Sequence, residues 1–143
     1  VTAVCQLYPE KAGKYLTEVF LSLDDPNSAS YQWTLTTLAS LAPHLTKSID
    51  QEFSKSSEAS LPKLIDLVDR IMDAQMAPAL EKLLDHKDYA IRAMAVRTLR
   101  HLKSTRSVNR LGAILHERSW IMGKKTKSLQ MDAAKALAEI ETE

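Results

Sequence analysis

Apolar residues recur along this chain at intervals of three and four, the period of a helix with one buried face. Between Pro9 and Leu23 the set is Tyr15, Leu16, Val19, Phe20 and Leu23. Tyr31, Leu35, Leu38 and Leu41 continue it, then Leu45, Ile49 and Phe53. Leu61, Leu64, Ile65, Val68, Ile71 and Met72 form the clearest stripe. Polar or proline-bearing breaks separate these runs at Asp24–Ser28, Pro43, Lys55–Ser60 and Asp85–Asp88. Asp88 has the chemistry of an N-cap for the helix that follows it. The pattern predicts eight helices in four hairpins: 7–23 with 28–42, 44–54 with 59–73, 76–84 with 88–102, and 106–116 with 126–141.

The last two hairpins repeat each other. With the register moved by 38, Ile91, Ala95, Val96, Leu99 and Leu102 fall on Leu129, Ala133, Ala134, Leu137 and Ile140. Moved by 31, Leu80, Leu83 and Leu84 fall on Leu111, Ile114 and Leu115. The difference of seven is an insertion within Glu117–Lys125, where Gly123 marks the break. A repeating two-helix unit implies stacking, because one hairpin cannot bury its apolar face alone. The alanines suit close helix crossings.

Composition narrows the class. The chain has 143 residues with only three glycines, enough for one helical domain with a continuous core and poor for a β-rich fold. No apolar run reaches membrane-spanning length. The first residues carry no basic leader or apolar segment, so no signal peptide is expected. They also lack a starting Met, and the chain is expected to be a module of a longer, intracellular protein. Cys5 is the single cysteine. It excludes an intrachain disulfide and every multi-cysteine metal site, and it reads as inert.

The residues around the third hairpin resemble HEAT repeats. The carriers are Leu80–Leu84, the turn with Asp85 and Asp88, Arg92, and the Ala95-Val96-x-x-Leu99 core. The resemblance covers about Leu61–Ile140. It implies an all-α fold, an α-α superhelix (a right-handed solenoid) of about four stacked hairpins, over residues 1–143 as a single domain. It also implies that Asp88 or Asp85 pairs with Arg92 in a ladder along the stack. Thr126 and Gln130 stand at the equivalent places of the last hairpin, so the ladder is expected to stop there. The ending LHERSWIMGKKTKSLQMDAAKALAEI resembles a variant hairpin of bacterial multidomain proteins, which points to a bacterial, cytoplasmic source. The family's default role is protein–protein scaffolding.

Charge is uneven although the net is +1. Between Lys87 and Lys127 there are eleven basic residues, opposed only by Asp88 and Glu117. On a helical wheel Arg92, Arg97, Arg100 and Lys103 lie opposite the apolar face. One account is a solvated face, with Arg92 held by the turn aspartate. The functional account is a basic surface for an acidic protein or neighbouring domain, extended by Arg118 and Trp120 on the insertion. Trp120 and Ile121 could equally fold over the end of the stack. Nucleic acid ranks lower, because moving by 38 turns Arg92, Arg97, Arg100 and Lys103 into Gln130, Lys135, Ala138 and Glu141. A surface tracking a phosphate backbone would continue its charge.

Catalytic patterns are weak. His116-Glu117 resembles the His-Glu ligand pairs of iron hydroxylases built on HEAT-like repeats, but His44, His86 and His101 are not followed by an acid. Bilin lyases share only the repeat fold. Asp66, Asp69 and Asp73 share a helix face and read as solvated. Trp33 reads as packing between hairpins. The reading is therefore a non-catalytic interaction module with no cofactor, no metal and no membrane contact. Its contact set is Arg92, Arg97, Arg100, Lys103, Arg118 and Trp120. Its alternatives are a nucleic-acid-binding domain and an enzyme or lyase subunit on the same scaffold.

Overall fold

The structure is a computed structural model that describes residues 2–117 and 123–141. Among the described residues every regular element is helical, with nine α-helices and three short 3-10 turns. By its internal contacts the chain divides into two compact units, residues 1–76 and 77–143.

The first unit holds α1 (Thr2–Leu7), α2 (Pro9–Ser22), α3 (Ala29–Ser40), α4 (Ala42–Lys55) and α5 (Leu61–Ile71), followed by a 3-10 turn at Ala74–Met76. The helix expected over 7–23 begins at Pro9, and a separate short helix precedes it. Tyr8 leaves helical geometry (φ −136°, ψ 61°), because the proline ring crowds the residue before it. Prolines occupy the first turns of α2, α4 and α5, where the missing N–H is no loss. The turn before α3 is tied by several hydrogen bonds. The Asn27 N–H donates to Asp25 Oδ1 at 2.9 Å, and the Tyr31 N–H donates to Ser28 Oγ at 3.2 Å. Ser28 thereby caps α3.

In this unit α2 packs on α3 and α4, and α5 packs on the same two helices. Phe20 and Tyr31 meet at the centre with ring centroids 4.8 Å apart, beside fully buried Leu38, Leu45, Ile49, Leu64 and Val68. Gly13 sets the approach of α2 to α4. A Cβ built there would stand 2.4 Å from Leu45 Cδ2, so only glycine fits without a shift. Cys5 is a buried residue of α1. Trp33 corrects the expectation made for it: it is 48% exposed on α3.

The second unit holds α6 (Ala77–Lys82), a 3-10 turn at Leu83–Asp85, α7 (Tyr89–His101), a 3-10 turn at Thr105–Ser107, α8 (Val108–Leu115) and α9 (Gly123–Glu141). Helix α7 packs on α6 and α9, and α8 packs on α9. Asp88 caps α7 as the sequence predicts, accepting from the Ala90 N–H at 2.8 Å. Helix α9 starts at Gly123, three residues before its expected position. Leu129, Ala133 and Ile140 are buried, as their counterparts in α7 are. Ala134 is exposed and Leu137 half-buried, whereas Val96 and Leu99 are fully buried. Among the described residues the main neighbours of α9 are α7 and α8, so its remaining flank meets no third helix of comparable contact.

Backbone geometry extends the repeat one helix further back than the side-chain pattern does. Helix α5 ends on Met72 with φ 57°, and α7 ends beside Lys103 with φ 49°. Both are left-handed closures normally given to glycine. Each is followed by a 3-10 turn, 74–76 and 105–107. In the first the Met76 N–H donates to Asp73 O, and in the second the Ser107 N–H donates to Ser104 O, both at 3.0 Å. Every one of these pairs shares an offset of 31. Leu64, Ile65 and Val68 map by the same offset onto Ala95, Val96 and Leu99, and all six are buried.

Candidate functional site

Arg92 sits in the first turn of α7 with its side chain only 18% exposed. It does not pair with Asp85 or Asp88, which corrects the expected ladder. Asp88 spends its carboxylate on the helix cap, and Asp85 pairs instead with Arg110 of α8. The Arg92 Nε–H donates to Leu84 O at 2.6 Å, and its other arm reaches Glu117. Leu84 lies at the end of the first helix of the hairpin, where carbonyls have no partner within the helix. The last hairpin repeats this bond with a different residue. Gln130 is the counterpart of Arg92 at an offset of 38, and Leu115 is the counterpart of Leu84 at an offset of 31. The Gln130 side-chain amide donates to Leu115 O at 3.1 Å. It also donates to Glu117 O at 3.0 Å. Glu117 thus joins the two hairpins, with its carboxylate on Arg92 and its carbonyl on Gln130.

The other acids near these cations are likewise engaged. Ser107 Oγ donates to Glu81 Oε1 at 2.7 Å, and Arg106 Nε lies 4.0 Å from Glu81 Oε2. Arg100 Nε stands 3.5 Å from Glu139 Oε2, an ionic contact longer than a good hydrogen bond. Lys103 occupies the left-handed closing position of α7. Arg97 is exposed, and so is Lys135, which stands at the equivalent place on neighbouring α9. Met131 lies one helical turn before Lys135 and is 60% exposed. Within the expected contact set, Arg92 is bound to Leu84 O and Glu117, Arg100 stands against Glu139, Lys103 closes a helix, and Arg97 is exposed. Arg118 and Trp120, with Ile121, lie outside the described residues.

Carboxylates on α5 and just after it are also engaged. Asp66 accepts from Arg70 Nε at 2.8 Å, and Asp73 Oδ1 accepts from the Gln75 N–H at 2.9 Å. Burial holds the Tyr31 hydroxyl above its ordinary pKa, and the Asp66 carboxylate beside it adds to the rise. The hydrogen bond to Asp66 raises Arg70 further. Among the described residues no three His, Cys, Asp or Glu side chains are grouped to hold a metal. Of the His116-Glu117 pair, the glutamate is bound by Arg92.

Openings in the first unit include the following two. One, about 460 Å³, is walled by Cys5 and Gln6 of α1, by Trp33, Thr36, Thr37 and Ser40 of α3, and by Leu41. The other is a cleft of about 180 Å³ between α2 and α4, lined by Glu10, Lys11, Lys14, His44, Lys47, Ser48 and Gln51. Compared with protein-family models, curated proteins and solved structures, the chain has no match. Its own side chains must carry the functional reading. No helix among the described residues is long and apolar enough to cross a membrane.

The lysine-lined cleft escapes the sequence reading because arginine density dominates the charge pattern. A signal is present all the same. Lys11 and Lys14 are spaced i, i+3, and so are His44 and Lys47, each pair on one helix face. What joins the two faces is the helix contact at Gly13, a glycine inside a helical stretch, which itself asks for a packing reason.

Proposed function

We propose that the chain is a HEAT-like module of an α-solenoid, without catalytic activity, that binds an acidic segment of another protein or of a neighbouring domain. The recurrence of closure, turn and core at an offset of 31 supports the repeat reading. Charge supports the partner. Residues 77–143 carry thirteen Lys and Arg against eight Asp and Glu, a net of +5. The observation that carries the reading is that Arg97 on α7 and its counterpart Lys135, at an offset of 38 on the contacting helix α9, are both exposed, with exposed Met131 one turn before Lys135. A basic pair around an apolar side chain, on rigid helices, fits an acidic peptide that also presents an apolar residue. Arg92 and Arg100 are support for that surface rather than part of it.

The test is fluorescence anisotropy of the full chain against a panel of labelled peptides that alternate acidic and apolar residues. Saturable binding that falls at least about tenfold, or about 1.4 kcal/mol, in Arg97→Glu/Lys135→Glu is the expected result. The melting temperature of the variant should match the parent, because both side chains are exposed. Binding unchanged by the double substitution would sink the reading. A duplex-DNA gel shift at low salt runs alongside it. Binding there, lost steeply as salt rises, would transfer the surface to nucleic acid.

A further inference from the structure

Residues 1–76 carry ten Asp and Glu against six Lys and Arg, a net of −4. Three of those six cations, Lys11, Lys14 and Lys47, nevertheless line one cleft, together with His44 and a single acid, Glu10. Gathering like charges into one concavity is unfavourable in the empty protein. In an acidic unit their arrangement on one cleft needs a reason.

The helices supply part of the field. Early residues of α2 and early residues of α4 line the same cleft, so the two N-terminal ends lie side by side, brought close at Gly13 and Leu45. Each helix is fourteen residues long, and in neither does an N-cap side chain accept from a first-turn amide. Helix N-termini carry partial positive charge, and here two of them add to the ammonium groups. A second cavity, about 400 Å³, shares Glu10, Lys11 and His44 with the cleft and is walled by Tyr8 and Pro9. Tyr8 is 59% exposed, with the Lys11 ammonium 5.6 Å from its ring centroid. The two openings form one site with a cationic end and an aromatic end.

The donor chemistry selects the ligand. Arginine forks grip carboxylates and phosphates in fixed bidentate geometry, whereas ammonium groups act as point charges that can gather around a compact tetrahedral anion from several sides. Residues 1–60 contain no arginine at all. We propose that the α2–α4 cleft binds a small phosphorylated organic molecule. Its phosphate is held between Lys14, Lys47 and the two helix ends, and its carbon skeleton rests on Tyr8 and Pro9. This site is independent of the acidic-peptide surface on α7 and α9 and shares no residue with it.

Isothermal titration of the full chain with phenyl phosphate, inorganic phosphate and phenol tests it. Phenyl phosphate should bind more tightly than inorganic phosphate, and phenol should not bind measurably. Lys14→Gln/Lys47→Gln should weaken both phosphates at least about tenfold. Tyr8→Ala should weaken phenyl phosphate and leave inorganic phosphate unchanged. All four wild-type groups on the cationic rim are exposed, so circular dichroism of the variants should match the parent. No saturable binding at millimolar phenyl phosphate overturns the proposal. So does binding that survives the lysine double substitution, or that Arg97→Glu/Lys135→Glu weakens equally. If a serine-phosphorylated peptide binds more tightly than its free phosphate ester, the ligand is a protein segment and the small-molecule assignment fails.

Discussion

The two units pack helical hairpins with opposite charge chemistry. The basic unit, 77–143, sets much of its cation excess to work inside the fold. Arg92 caps a helix end and reaches Glu117, Arg110 holds Asp85, and Arg100 stands against Glu139. The acidic unit, 1–76, seats the Leu45 side chain of α4 against Gly13 of α2 and leaves lysines on an open cleft. Its ties include Lys63, which donates to the Leu21 and Leu23 carbonyls at the end of α2, and Arg70, which pairs with Asp66. The lesson is that net charge does not say what charges do. A dense run of arginines can be mostly structural, while three lysines in an acidic background can be the more available cations.

The largest break in this contrast should come at Arg92. Arg92→Ala leaves the Leu84 carbonyl and the Glu117 carboxylate without a donor that is largely shielded from water. Charge-assisted hydrogen bonds of this kind contribute about 2 kcal/mol. Urea unfolding should show that loss, and hydrogen exchange should place it on α7 and α8 while the amides of α2 and α4 stay protected. Arg92→Gln copies the residue that the last hairpin already uses and keeps the bond to the carbonyl. It should recover about half the loss. Equal loss in the two variants would mean that the carbonyl bond contributes nothing and that Glu117 carries the whole effect.

Glycine gives the second comparison, because the same substitution should have opposite signs in the two units. Gly112 in α8 has open space where a Cβ would go. Gly112→Ala should therefore stabilise by about 0.8 kcal/mol, the difference in helix propensity. Gly13→Ala gains the same propensity but drives a methyl group into Leu45, which is fully buried. Overpacking of this kind costs typically about 1–3 kcal/mol, so the net should be a loss of about 1 kcal/mol. Urea midpoints of the two variants read both signs. The Gly13 variant should also lose the α2–α4 cleft, which links packing directly to the proposed site.

Legibility in the sequence follows the range of the interaction. Helix spans, the Asp88 cap and the offsets of 31 and 38 between the last two hairpins are local or periodic, and the residues alone predict them. Helix α1 escapes the pattern because the short run before Pro9 shows too little periodicity. The partner of Arg92 is hidden for a different reason. Asp85 and Asp88 are near it in sequence, but its charged partner, Glu117, is distant along the chain and stands at the mouth of an insertion. The cleft is hidden because it needs two helix faces at once. Lys11 and Lys14 make half of it, His44 and Lys47 the other half, and only the contact at Gly13 joins them.

The smallest effect tests what the two units share. Met72 and Lys103 close α5 and α7 in the left-handed region, at equivalent places in the offset of 31. For an L-residue with a Cβ that conformation costs about 1–2 kcal/mol. Glycine removes the clash but gives back part of the gain through the wider freedom of its unfolded chain. Met72→Gly and Lys103→Gly should therefore each stabilise by about 0.5 kcal/mol, small but resolvable in paired urea titrations. The gains should be similar if the closures are equivalent parts of one repeat, and additive because the two sites share no partner. A gain at one site and a loss at the other would separate the two units as different structures that happen to turn alike. Equal gains would place α5 in the same repeat as α7, and so carry the periodicity across the boundary at which the charge changes sign.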